Sequence, residues 1–338
     1  MIKRLVLFFL VSVSILISLP TLVFPQEFTI KFATLAPEGS TWITVMKEYD
    51  QAIRKESGGR VGFKIYPGGV AGDEKDVLRK IRLGQFHSAG ITGVGIGEIA
   101  KSARILDAPF LFKNTAEIDY IVDQYDAELR KEFENGGYVL LGWAEVGFVY
   151  VFTNTPVTKV EDMRNVKMWQ WEGDPVAEAT FKSFGVNPIQ LSISDVLTSL
   201  QTGLINGMYT SPLAGVSLQW YTATKYMLDY PLTNASGAVV ISKREFDKMP
   251  ADIQSILLKN GKQLMRKLTL QSREGNVKSL DVLRKNKIVF TKPEAKETAR
   301  YEEIGRNARR LMVGKLYSED LLNRVEKSLA DFRAKGGK

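Results

Sequence analysis

The side chains capable of covalent chemistry are few. His87 is the only histidine in 338 residues, and cysteine is absent. A lone histidine beside a predicted strand reads as a satisfied structural residue, because no second one can complete a metal site. A Ser-His-carboxylate relay would have to use that same His87, and no Gly-x-Ser-x-Gly elbow points at it. Without cysteine there are no disulfides, thiolate metal sites or thiol nucleophiles. Pro67-Gly-Gly-Val-Ala-Gly-Asp-Glu74 runs from a strand into a helix as phosphate-cradling turns do, but the Gly-Lys-Ser/Thr ending of a nucleotide loop is missing. With no paired-carboxylate motif either, the expected function is binding rather than catalysis, with no metal and no cofactor.

The elements that must position a binding site follow from periodicity and punctuation. Phe28 to Thr34 alternates weakly, as a strand covered on both faces does. Ser40 or Thr41 caps a helix through Lys55 with Trp42, Val45, Met46, Tyr49 and Ile53 on one face. A strand at Val61–Tyr66, a helix at Glu74–Leu83, a strand and then a glycine-rich turn at Gly93-Val-Gly-Ile-Gly97 come next. Val139 to Asn154 reads as two strand segments broken at Glu145, crossing from one domain to another, and Asn234 to Ile241 as the return strand. Asp174 and Pro175 start a helix that Gly185 ends. Ser194 or Asp195 caps another that stops at Gly203, after which Leu204-Ile205 forms a short strand with Asn206-Gly207 as its turn. Such strand–helix alternation builds a parallel sheet, with ligands outside the carboxyl ends of its strands. A helix from Ala251 to about Asn286 exceeds ordinary globular length. Lys287–Phe290 reads as a strand, and Pro293–Leu316 and Ser318–Lys335 as closing helices.

Three motifs are more specific than these elements. Val160-Glu-Asp-Met-Arg-Asn-Val-Lys-Met-Trp169, Asp107-Ala-Pro-Phe-Leu-Phe112 and Leu200-Gln-Thr-Gly-Leu-Ile-Asn-Gly207 stand in an order that resembles the solute-binding subunits of TRAP (tripartite ATP-independent periplasmic) transporters, the DctP-type family. The resemblance spans about Glu27 to Lys335. It implies an α/β, two-lobed periplasmic-binding-protein fold with a long helix bridging both lobes. The division it suggests is a signal segment over residues 1–26, a first lobe of 27–149 with 237–276, and a second of 150–236 with 277–338. It also implies a monomer that closes on a small-molecule solute and hands it to membrane permease subunits driven by an ion gradient. A periplasmic sensor presenting the same solute to a signalling receptor is the alternative use of such a fold.

The departures from the resembled pattern concern the cleft. The family's carboxylate-gripping arginine in the strand after the Asp-x-x-x turn is here Trp169, and no basic residue occurs between Lys131 and Lys159, where a second arginine is common. Strand alternation puts Lys167, Trp169 and Trp171 on one face, with Lys167 reaching solvent. The residues expected at the ligand are therefore Trp169, Trp171, Tyr209, Trp220 and Tyr221, with Phe148 and Trp42 beside them. They suit an aromatic, apolar or amine-bearing solute. Glu145, Glu172 and Asp174 are the nearby carboxylates for a cation, Asp174 being first of all a helix cap. The competing expectation is an organic acid held by a relocated base such as Arg82, Arg104 or Lys225.

Charge and the N-terminus set the compartment. Lys3 and Arg4 precede an apolar run from Leu5 to Leu19, shorter than the roughly 20 residues that span a bilayer. This predicts an exported periplasmic protein starting near Val23–Phe28. Forty-six basic against 38 acidic residues give +8, which becomes +6 without Lys3 and Arg4. The surplus is mild and interleaved with acids, as in Arg54-Lys55-Glu56, so no nucleic-acid footprint is expected.

Overall fold

The computed structural model describes residues 27–337, so the signal segment lies outside the described residues. The chain runs β1 (Phe28–Thr34), α1 (Thr41–Glu56), β2 (Val61–Tyr66), α2 (Glu74–Arg82), β3 (Ser88–Thr92), α3 (Gly93–Ile99) and α4 (Thr115–Asn135) into the long strand β4 (Tyr138–Thr153). It continues through α5 (Val160–Met163), β5 (Trp169–Trp171), α6 (Pro175–Phe184), β6 (Ile189–Leu191), α7 (Val196–Thr202), β7 (Gly207–Thr210), α8 (Pro212–Ser217) and β8 (Tyr226–Leu228). The return strand β9 (Thr233–Ser242) leads to α9 (Lys243–Phe246), α10 (Ala251–Lys285), β10 (Val289–Thr291), α11 (Thr298–Leu311) and α12 (Glu319–Ala334).

Two lobes result because β4 serves two sheets. Its first two-thirds pair antiparallel with β9, from Tyr138↔Ser242 to Val149↔Thr233, and β9 joins the β3-β1-β2 ladder of the first lobe. Its end, Tyr150 to Thr153, pairs instead with β7 and β8 of the second. The break expected at Glu145 is a register shift between Glu145 and Gly147 within one continuous strand, a bulge that bends the ladder without ending it.

The 35-residue α10 lies along both lobes. Leu257, Met265 and Leu268 sit in the first lobe's core, and Leu283 in the second's. Its close approach to β4 explains an interior glycine that costs an isolated helix about 1 kcal/mol. A Cβ on Gly261 would stand 2.5 Å from the Leu141 carbonyl oxygen, and one on Gly142 would stand 2.8 Å from the Gly261 carbonyl. The Tyr49 hydroxyl, donating to Leu257 O at 2.6 Å, docks the same stretch onto α1.

Several expectations are corrected by packing. Gly93 to Gly97 is not a turn but the first part of α3. Glu74 supplies its cap, accepting from Gly95 N at 2.7 Å, and a Cβ on Gly95 would stand 2.8 Å from that carboxylate. The short strand is Gly207–Thr210 rather than Leu204-Ile205, because Asn206 is used to bind the Lys167 backbone through both its N–H and its side chain. The penultimate helix begins at Thr298 after a 3-10 turn. The closing helix, expected with the second lobe, packs Leu321, Leu322, Val325 and Leu329 into the same core as Ile118, Ile121 and Leu129 of α4.

Gly261→Ala therefore tests the α10–β4 contact. Despite the gain in helix propensity, we expect a loss of about 1 to 3 kcal/mol in urea unfolding, because the backbones must separate. A neutral or stabilising result would show that the approach is not tight.

Candidate functional site

A cavity of about 220 Å³ lies between the lobes, walled by the turn after β1, the β3–α3 junction, β5, α6, α8 and the crossing strands. Trp42, Trp169, Trp171, Tyr209 and Trp220 all line it. Trp169 is 2% exposed, with its ring stacked on Tyr209 at 4.9 Å and edge-on to Trp220 at 5.3 Å. Its indole N–H is committed to Leu191 O at 3.0 Å. The Tyr209 hydroxyl accepts from Trp171 N at 3.1 Å, which locks β5 to β7, and burial pushes that phenol well above its ordinary value. Trp42 lies across Gly90 and Gly237, where a Cβ on either residue would meet its ring at 3.3 and 2.8 Å.

Three residues expected at the ligand stand elsewhere. Glu145 is buried against Arg273 of α10, whose guanidinium donates at 2.6 Å, and Arg273 also holds Asp119 at 2.8 Å. Its cation is thus the protein's own, and the cluster ties α10 to β4 and α4. Phe148 packs on the first lobe's core, and Tyr221 on the apolar cluster behind Trp220. Neither lines the cavity. Of the candidate relocated bases, Arg82 and Lys225 are exposed and away from the cavity, whereas Arg104 lines it.

Arg104 is the only lysine or arginine among the lining residues, against the carboxylates of Glu74, Asp107 and Asp174. Its Nε donates to Asp107 Oδ2 at 2.8 Å and its Nη2 to Asp174 Oδ1 at 2.9 Å. Asp174 also caps α6, accepting from Val176 N at 3.0 Å with Pro175 at the first helical position. Asp107 Oδ1 accepts from the Ser236 hydroxyl and amide at 2.6 and 2.7 Å. The remaining Arg104 nitrogen, Nη1, is buried without a partner over α3, 3.4 Å from where a Gly97 Cβ would stand. The bond from Arg104 to Asp174 closes the space between the lobes, and so does the Trp171 indole N–H donating to Asp73 at 3.1 Å.

Sequence reasoning passed over Glu74 as a cavity residue. Both its oxygens are used, by Thr92 N and Oγ1 at 2.8 and 2.9 Å and by Gly95 N. Burial outweighs these bonds and pushes it up to about 7. Asn234, on β9, was also missed and is 1% exposed. Its Nδ2 reaches Leu106 O at 3.4 Å, while its Oδ1 has no partner. No sequence signal marks either role. Among the described residues no group of three His, Asp or Glu could hold a metal ion.

The model of the family described as bacterial extracellular solute-binding protein, family 7, matches residues 32–313. The chain belongs to this family. It is a TRAP-type periplasmic solute-binding receptor, not an enzyme. The C4-dicarboxylate-binding periplasmic protein DctP of Rhodobacter capsulatus is 24% identical over 87% of this chain and 88% of its own length. A solute-binding protein of Verminephrobacter eiseniae is 26% identical over 64% of each chain. The sugar-acid-binding protein of Advenella mimigardefordensis, solved with galactonate, superposes with a TM-score of 0.84 at 18% identity, covering 90% of this chain and 98% of its own.

Two predictions test the site. Arg104→Met leaves Asp107 and Asp174 buried without their cation and should cost about 3 to 5 kcal/mol in denaturant unfolding. A loss under 1 kcal/mol would show that water reaches both carboxylates. Glu74 binds a proton in the folded state at pH values where the unfolded chain does not. Its contribution is therefore fully present below the unfolded value of about 4.5 and is lost as pH rises from there through about 7. Unfolding free energy should fall by up to about 3 kcal/mol between pH 5 and 8 from this group. Glu74→Gln, whatever its absolute stability, should flatten that slope, and an unchanged slope would reject the assignment.

Proposed function

We propose that this receptor takes an aromatic, apolar or amine-bearing solute and holds it without an arginine–carboxylate clamp, for delivery to the permease subunits of a TRAP transporter. The observation that carries this reading is the state of Arg104. The only basic side chain on the cavity already gives its Nε–Nη2 edge to two carboxylates. That planar edge is what would grip a ligand carboxylate in two parallel bonds. The cavity wall also carries the aromatic group of Trp169, Tyr209 and Trp220, and a flat solute gains there by stacking and burial.

An organic acid is the second reading, because Arg104 does face the cavity and relatives of known ligand bind acids. The structures from Advenella mimigardefordensis and Desulfovibrio salexigens hold galactonate and orotic acid. For an acid to be gripped in two parallel bonds by the Nε–Nη2 edge it would have to displace Asp174 from Arg104 and leave that carboxylate buried beside it, at a cost of several kcal/mol. A solute touching both lobes stabilises the closed arrangement over the open one and so drives closure.

Calorimetry on the exported protein separates the two readings. Succinate and galactonate should give no measurable heat. The solute released from the purified receptor and identified by mass spectrometry should bind, and Trp169→Ala should weaken it by roughly 1 to 3 kcal/mol through lost stacking and burial. Tight binding of succinate or galactonate that Trp169→Ala leaves intact would sink the first reading in favour of the second.

A further inference from the structure

The carboxylates, the guanidinium and the Asn234 amide of the cavity wall can be accounted for one at a time. Glu74 and Asp107 have both oxygens engaged by donors of the protein. Trp169 and Trp171 spend their indole N–H groups on Leu191 O and Asp73. Arg104 spends one edge on carboxylates and turns its Nη1 over α3. Among the carboxylate and amide oxygens of these side chains, two acceptors remain. Asp174 Oδ1 carries both of that side chain's hydrogen bonds, from Arg104 and Val176, so Oδ2 takes none. Asn234 Oδ1 is buried without a partner. The Leu106 carbonyl fixes the orientation of that amide, since only the NH₂ end can face another acceptor.

An orphaned acceptor in a closed wall costs about 1 to 3 kcal/mol unless something donates to it. Charge points the same way. Around one guanidinium stand two carboxylates besides Glu74, Asp107 with both oxygens engaged and Asp174 with one open, so the wall carries surplus negative charge in a site of low dielectric. Asn234 sits on a strand that crosses between the lobes and Asp174 caps a helix of the second, so a group drawn to both spans the cleft.

We propose that the solute presents a protonated amine on an aromatic or apolar body, with Asn234 Oδ1 accepting one of its N–H bonds and the open Oδ2 of Asp174 supplying the compensating charge. This rests on the reading that the cavity is the solute site and lacks a carboxylate clamp. The aromatic body lies on the Trp169–Tyr209 face while the ammonium lies toward Asn234.

The test compares three probes that share one ring system: tryptamine, 3-methylindole and indole-3-acetate, each titrated calorimetrically into the full exported protein. Tryptamine should bind at least tenfold more tightly than either of the others. Asn234→Leu, close in volume but without the acceptor, should lower tryptamine affinity on the order of tenfold and leave 3-methylindole within about twofold. Should that variant fail to fold, the wild-type ranking decides alone. Equal binding of tryptamine and 3-methylindole, or binding by none of the three at millimolar concentration, overturns the amine assignment. The first of these results leaves the apolar, clamp-free reading standing. Preference for indole-3-acetate overturns both.

Discussion

The cleft is organised around one buried cation. Arg104, 2% exposed, is tied on its own side to Asp107 three residues on and across the cleft to Asp174. Such a triad contributes little net stability compared with apolar packing, because desolvating three charges offsets most of their attraction. What it supplies is position. Asp107 also fixes Ser236 of β9, and Asp174 fixes the start of α6, so a single guanidinium sets the returning strand of one lobe and a helix of the other. The aromatic wall then follows. Trp171 is two residues past Trp169 and three before Asp174, and it reaches Asp73 only when that segment lies against the first lobe.

Closure must then be a contest between two sets of contacts. The interlobe bonds of Arg104 and of the Trp171 indole are made by the chain itself, so a solute need add only its differential affinity for the closed state. The elements bearing these groups are stiff. β4 runs through both lobes with β9 paired along its first part, and α10 is held to β4 by backbone contact at Gly142 and Gly261 and by the Arg273–Glu145 pair. β4 changes partners between Val149, its last residue paired with β9, and Tyr150, its first paired with β7.

How much of this was legible in the sequence depends on how local each cause is. The cap and proline at Asp174-Pro175, the helix ends at Gly185 and Gly203 and the length of α10 are written within a few residues, and all are found as read. Gly93 to Gly97 was misread because its cap, Glu74, lies a strand and a turn earlier. Glu145 was rightly seen as a carboxylate in want of a cation, but that cation is 128 residues away on α10. Arg104 could not be told from Arg82 or Lys225 by type or spacing. Burial separates them, and burial is a property of the folded chain. Asn234 carries no signal at all, since an asparagine in a strand-forming run looks like a turn residue.

The replacement of an arginine by Trp169 is consistent with this charge arrangement rather than an isolated loss. A second guanidinium at that position would compete with the solute for the wall's surplus negative charge, where only Asp174 Oδ2 is left without a donor among the carboxylate oxygens. A tryptophan fills the same wall with no charge to compensate, stacks on Tyr209 and spends its N–H on Leu191. With one arginine held between Asp107 and Asp174, an aromatic wall leaves the open Oδ2 of Asp174 to the solute. Under the proposed function, the specificity of the cleft rests on the shape and donors of the solute rather than on the charge of an acid.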